Sequence, residues 1–266
     1  VRYGDCVVLV AATHSNKESD RDYFPLMVDF EERMYAAGKF PGGFIKRESR
    51  PSTEAIIAAR VVDRSIRPLF PKDYKFEVQV VCLALSSDME NPLDIHGLTG
   101  ASIALSISDI PFDGPVAGVR IGRDPESRKF IVNPDFEQIE QGDLDLVVAG
   151  KEDAVMMVEG ECDEISESEF LEALDLAHEE IGKIIAMQKE VIAKASKEKM
   201  DYDKHEPDEE LVKKVRDFSG DKVADALDNK EKKQREGLMR DIAAEAVEQL
   251  AVVDGGLGRY LALTVA

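Results

Sequence analysis

The stretch YFPLMVDFEERMYAAGKFPGGFIKRESRPSTEAIIAARVVDRSIRPLFP, Tyr23 to Pro71, decides the fold class. It opens as a strand. Leu26, Val28 and Phe30 alternate with Met27, Asp29 and Glu31, the two-residue period of a sheet with one buried face. It closes as a helix. Ser52 is a capping residue, the helical body runs from about Thr53 to Ile66, and Pro68, which lacks an amide hydrogen, ends it. Pro41, Gly42 and Gly43 form a turn between the two.

More strands lie on either side. DCVVLVAATHS (Asp5 to Ser15) and EVQVVCLALSSD (Glu77 to Asp88) are β-branched and apolar, as buried strands are. PVAGVRIGR and RKFIVNP, parted by Asp124 to Ser127, predict a hairpin, and Leu144 to Glu161 predicts another that turns at Gly150 to Asp153. LTGASIALSIS (Leu98 to Ser108) is small and apolar all round, so it predicts a buried helix. Strand pairs mixed with covering helices predict an α+β domain.

The pattern changes near Ile165. Phe170, Leu174, Ala177, Ile181, Ile184 and Ile185 recur at helical spacing, and Ser166 with Glu169 forms a capping box. Two further helices are expected after Pro207 and Asp228. Residues 1–162 are therefore assigned to the mixed domain, 163–251 to a small all-helical domain, and 252–266 to a linker or unplaced tail.

The chain of 266 residues carries 54 Asp+Glu against 34 Lys+Arg, a formal charge of -20. That charge repels nucleic acid at long range, so any polyanion must meet a local basic patch. No apolar run approaches the roughly 20 residues of a membrane span. Cys6, Cys82 and Cys162 are scattered and odd in number. They predict buried structural thiols in a reducing compartment, and neither a disulfide framework nor a zinc site. The chain opens on Val1, and the expectation is that it begins inside a longer protein.

One basic patch stands out. From Lys39 to Lys75 there are nine Lys/Arg and four Asp/Glu. Phe44, Lys46, Arg47 and Arg50 follow the glycine turn, and Arg60, Arg64 and Arg67 share one stripe of the helix. A ring that stacks on a base and cations that meet phosphates are the minimal kit for single-stranded nucleic acid. Two alternatives stay open on the residues alone. Phe44 is either a stacking ring or a core residue, and the arginines meet either an external anion or the carboxylates of Glu54 and Asp63.

Other chemistry is weakly signalled. There is no Walker loop, no Gly-x-Gly-x-x-Gly after a strand, no Gly-x-Ser-x-Gly elbow, and no His or Cys pair at metal-ligand spacing. Asp143 and Asp145 in GDLDLVV lie two apart. They are either a magnesium-holding pair or a turn followed by an exposed strand edge.

The stretch from Tyr23 to Pro71, GASIALSISDIPFDGPVAGVRIG and LDLVVAGKEDAVMMVEGE resemble the first core of the polynucleotide phosphorylase family, from Tyr3 to about Glu161. The helical segment to about Leu250 is similar to the all-helical domain that follows that core.

The resemblance implies an RNase PH-like core with βαβ elements, in a phosphate-dependent 3′-to-5′ exoribonuclease that runs in reverse as a polymerase and acts in mRNA degradation. It implies a cytoplasmic homotrimeric ring around single-stranded RNA, inorganic phosphate as co-substrate, and other RNA-degradation proteins as further partners, with no membrane. It places Phe44, Lys46 and Arg47 in the loop that guides RNA, with Arg50, Arg64 and Arg67 beside it. The family's loop reads FFRR. Here Ile45 and Lys46 replace a ring and a guanidinium, so stacking falls to one ring and a planar fork becomes a point charge.

The family's catalytic serine motif and its Mg2+-holding acids belong to a second core. SSDMENPLDIHGLTGAS (Ser86 to Ser102) lacks the serine cluster, while Asp143 and Glu137 lie at or near the places of the acids. No catalytic or metal-binding residue is therefore assigned to this chain, and Mg2+ is expected in the second core. The alternative is a non-catalytic RNA-binding scaffold subunit of an exosome-like ring.

Overall fold

The computed structural model describes residues 1–21, 23–42, 50–204 and 209–250. They fall into two compact units, which divide between Tyr202 and Asp203.

The first unit begins with a four-stranded sheet of β1 (Arg2–Tyr3), β2 (Cys6–Glu18), β3 (Leu26–Glu32) and β4 (Phe76–Ser86), in the order β1-β2-β4-β3. β3 runs parallel to β4, with Leu26 beside Val78 and Phe30 beside Cys82. Parallel neighbours need a crossover, and helix α1 (Thr53–Ile66) supplies it. Its bounds and its Ser52 cap are those read from the sequence. The Ser52 hydroxyl accepts from the Ala55 amide at 3.0 Å.

Helix α2 (Asp94–Ile107) lies between this sheet and a second one. The second sheet is antiparallel throughout, with β5 (Ala117–Arg123), β6 (Phe130–Val132), β7 (Leu144–Gly150) and β8 (Val155–Cys162) in the order β6-β5-β7-β8. Both expected hairpins are present. A short helix, α3 (Phe136–Gln141), leads into β7. Helix α4 (Glu167–Ala195) starts at the predicted Ser166–Glu169 capping box and covers the far side of the second sheet.

Burial follows these layers. Val80, Cys82, Val62, Ile66, Leu98 and Ala101 share one core with Val147 and Ala149 of β7. The alternate β7 residues Leu144, Leu146 and Val148 pack instead against Ala177, Ile181 and Ile185 of α4. β7 is thus apolar on both faces, which explains its nearly continuous apolar run. Burying Ile181 and Ile185 completely is worth roughly 1.5–3 kcal/mol each.

α2 needs its small residues. A Cβ on Gly100 would lie 2.5 Å from Val10 Cγ2, well inside contact distance. One buried polar link joins the layers. Ser102 donates to Gln188 Oε1 at 2.7 Å and accepts from the Val116 amide at 2.9 Å, while Gln188 donates to the Val116 carbonyl at 2.9 Å.

The described part of the second unit is a pair of helices, α5 (Glu209–Leu227) and α6 (Lys232–Leu250). They meet through Val215 and Ala246, flanked by Leu211, Phe218, Val247 and Leu250.

Helix α4 belongs to the first unit, with its apolar stripe spent on the second sheet. The structure departs from the sequence reading in two places. Cys6 and Cys82 are buried as expected, but Cys162 is exposed, since it ends the edge strand β8. Asp145 does not lie on an exposed strand edge, because β7 is paired on both sides.

Candidate nucleic-acid interface

The basic stretch is organised by α1 and β3. At the end of β3, Glu32 accepts a 2.8 Å hydrogen bond from the Ser52 hydroxyl, which also caps α1. One serine thus brings together the two ends of the segment that carries the glycine turn. The 3-10 turn Met34–Ala37 is fastened to the end of β4 by the Ser87 amide, 2.9 Å from the Ala36 carbonyl. Phe40 follows, 92% exposed.

Phe44, Lys46 and Arg47 lie outside the described residues. The other expected cations divide into two kinds. Arg50 is exposed, and so is Arg60, and neither has a carboxylate partner among the described residues. Arg64 is exposed and ion-paired with Glu159 of β8. Arg67 is held more firmly. Its Nε and Nη2 donate to the two Asp63 oxygens at 2.7 and 2.6 Å, and its Nη1 and Nη2 reach the carbonyls of Phe24 and Leu26 at 3.2 and 3.1 Å. The stripe of three arginines is thus graded. The N-terminal member is open to an anion and the C-terminal one is a strut between α1 and the start of β3.

Arg60 was named on the helical stripe with Arg64 and Arg67, and it is the member of the three that stays unpaired among the described residues. Phe40 was not singled out from the sequence, and a ring next to a Pro-Gly-Gly stretch is the signal that could have found it.

The acids are committed elsewhere. Arg123, only 2% exposed, donates from Nε and Nη2 to the two oxygens of Asp143 at 2.8 and 2.6 Å. Its Nη1 lies 2.6 Å from Glu169, which also meets Arg128 and the Ser166 hydroxyl. Arg120 bridges two more carboxylates, donating from Nη1 to both Asp145 oxygens at 2.6 Å and from Nη2 to Asp94 at 2.6 Å.

These contacts set the titration of the carboxylates. The Arg123 guanidinium holds Asp143 below the usual carboxylate range. The Ser166 hydroxyl and amide, then Arg128, bring Glu169 down to about 2. Glu137 is exposed and accepts from Gln141. Asp143 and Asp145 therefore point at different guanidinium groups and do not converge. Among the described residues no cluster of three His, Cys, Asp or Glu is placed to hold a metal ion. With both Asp143 oxygens bonded to Arg123, this arrangement does not fit a Mg2+ site.

The fold is therefore two sheets with a helix between them and a surface carrying exposed cations, in a chain whose paired acids are neutralised. Residues 1–111 match the 3' exoribonuclease family, domain 1, and residues 114–180 match the same family's domain 2. The second match reaches into α4, in keeping with the packing of that helix. The chain belongs to the 3' exoribonuclease family and has its RNase PH fold.

Among curated proteins, it is 50% identical over 250 residues to the polyribonucleotide nucleotidyltransferase of Heliobacterium modesticaldum, covering 94% of this chain and 35% of that one. It is 47% identical over 247 residues to that of Geobacillus kaustophilus, covering 93% and 34%. It is 46% identical over 242 residues to that of Bacillus subtilis, covering 91% and 34%. The chain thus spans about a third of the length of the curated relatives it matches.

Proposed function

We propose that this chain serves a polyribonucleotide nucleotidyltransferase, a phosphate-dependent 3′-to-5′ exoribonuclease of mRNA degradation, as its RNA-guiding part. In this reading inorganic phosphate cleaves the terminal phosphodiester and leaves a nucleoside diphosphate, and the reverse reaction extends RNA. The catalytic serines and the Mg2+ site lie in a second core outside this sequence. This part contributes cations along the RNA path and surfaces of a cytoplasmic homotrimeric ring, to which other RNA-degradation proteins attach.

The observation that carries the reading is the contrast between the two sets of charges. Asp143, Asp145 and Asp94 are each bonded to buried or half-buried arginines, so their charge is already balanced within the protein and they do not converge on a hard cation. Arg50 and Arg60 have no carboxylate partner among the described residues. A surface with free cations and neutralised acids suits binding of a phosphate backbone better than its cleavage.

The test uses the 266-residue chain with poly(A) and inorganic phosphate. No ADP release is expected, together with measurable RNA binding that Lys46→Ala combined with Arg47→Ala weakens and makes less salt-dependent. Phosphate-dependent ADP release would overturn the assignment of the active site to a second core. Unchanged affinity and salt slope in the double variant would remove the guiding role.

A further inference from the structure

The second unit carries a cationic surface of its own. Between Asn229 and Arg240 there are five Lys/Arg and two Asp/Glu, against a chain charge of -20. Lys230, Lys232 and Lys233 are exposed at the connection between α5 and α6. Among the described residues Lys230 and Lys233 have no carboxylate partner, and Lys232 has only a 3.9 Å contact with Glu236.

The connection that carries them is ordered by Asn229. Its side-chain oxygen accepts from the Glu231 amide at 3.0 Å, and its carbonyl accepts from Arg235 Nη1 at 3.1 Å. The lysines are therefore displayed on a built turn. Two of them occupy the first turn of α6, where the helix already presents the positive end of its dipole and where acids are the favourable residues. This placement is unfavourable by itself and becomes favourable when an external anion arrives.

A groove lies between residues on either side of the lysines in sequence, the end of α5 and the first turns of α6. It is open, about 360 Å³ in volume, and lined by Leu227, Arg235, Glu236, Met239 and Arg240. Its lining combines two arginines and one acid with the aliphatic Leu227 and Met239. Such a groove can hold the face of a base while the guanidinium groups and the lysines meet phosphates.

From this juxtaposition we infer that the α5–α6 connection and its groove are a second contact surface for single-stranded RNA, independent of base sequence. The inference rests on the proposed function for its choice of polyanion. No ring lines the groove, so affinity here comes from phosphates more than from stacking, and it falls steeply with salt.

The experiment compares three forms of the 266-residue chain: unmodified, Lys46→Ala with Arg47→Ala, and Lys230→Gln with Lys232→Gln and Lys233→Gln. Binding of a 20-nucleotide oligo(A) is measured against KCl, with far-UV circular dichroism to show that the helices persist. Three neutralised lysines should make the log–log salt slope shallower by about 2, since each phosphate contact on a single strand contributes about 0.7. The unmodified chain should also crosslink a 4-thiouridine oligonucleotide to the peptide that spans residues 228–240.

An unchanged slope in the triple variant, or no crosslink at that peptide, overturns the inference. If the patch captures poly-glutamate while the RNA slope is unchanged, it is a surface for acidic protein and the RNA reading falls. A response in the loop variant alone sinks this inference and leaves the proposed function standing. A response in the triple variant alone does the reverse.

Discussion

Arg123 and Asp143 face each other from the end of β5 and the residue before β7, joined by two parallel hydrogen bonds of 2.8 and 2.6 Å, with the arginine almost wholly out of solvent. The pair fastens the second sheet at the end where α4 begins. Removing the arginine leaves Asp143, partly exposed, without the donors that satisfy it, which costs about 1–3 kcal/mol. Arg123→Met should therefore lower the unfolding free energy of the chain by that amount, measured by urea denaturation at neutral pH. A loss below about 1 kcal/mol would show that the pair contributes little.

The same cluster sets a response to acid. Asp143 is held below its ordinary value of 3.8, and Glu169 is brought from 4.5 to about 2. Carboxylates whose pKa is depressed by folding bind more protons in the unfolded chain, so stability falls as pH falls. Their contribution is complete above about pH 4.5 and is lost progressively as pH drops toward 2. Urea midpoints measured from pH 6 to pH 2.5 should decline across this window. Asp143→Asn should flatten the decline, and an equally steep decline in that variant would exclude Asp143 as a source.

Arg60 and Arg67 share one helical stripe but should separate in function. Arg67 makes four hydrogen bonds that tie α1 to Asp63 and to the start of β3. Bonds to charged groups are each worth about 1.5–3 kcal/mol at most, so Arg67→Ala should lower stability by about 2 kcal/mol. Arg60→Ala should leave the urea midpoint unchanged and weaken oligo(A) binding. The reverse pattern would mean that the grading of the stripe has been misread.

Gln188 should be intolerant of truncation. It is fully buried and completes the link to Ser102 and Val116. Gln188→Ala would leave the Val116 carbonyl without its donor and open a void, at a cost of about 1–3 kcal/mol. Thermal unfolding by calorimetry is the direct check, and a melting temperature within one degree of the unmodified chain would contradict it.

Much of the first unit was legible in the sequence because its signals are local. The Ser52 and Ser166 caps and the two hairpins depend on neighbouring residues, and they lie where the residues predicted them. The partner of a helix is not local. α4 has the same apolar stripe whether it meets a sheet or another helix, so the stripe could not reveal that it belongs to the second sheet. The site was legible in part for the same reason. The sequence placed Arg60, Arg64 and Arg67 on one face, and even named Asp63 as a candidate partner. Only the folded chain shows that Arg64 meets Glu159, which is 95 residues away. Phe44, Lys46 and Arg47 lie outside the described residues.

The burial of α2 has a consequence for how the chain can be divided. The family match breaks between residues 111 and 114, yet Val147, Ala149 and Met157, beyond that break, share a core with Val80 and Leu98 before it. A chain cut at residue 112 would leave α2 with one wall missing and its apolar surface open to water. The two sheets are therefore one cooperative unit that melts as a whole, and a hydrogen-exchange experiment should find the amides of β4 and β7 opening with a common free energy.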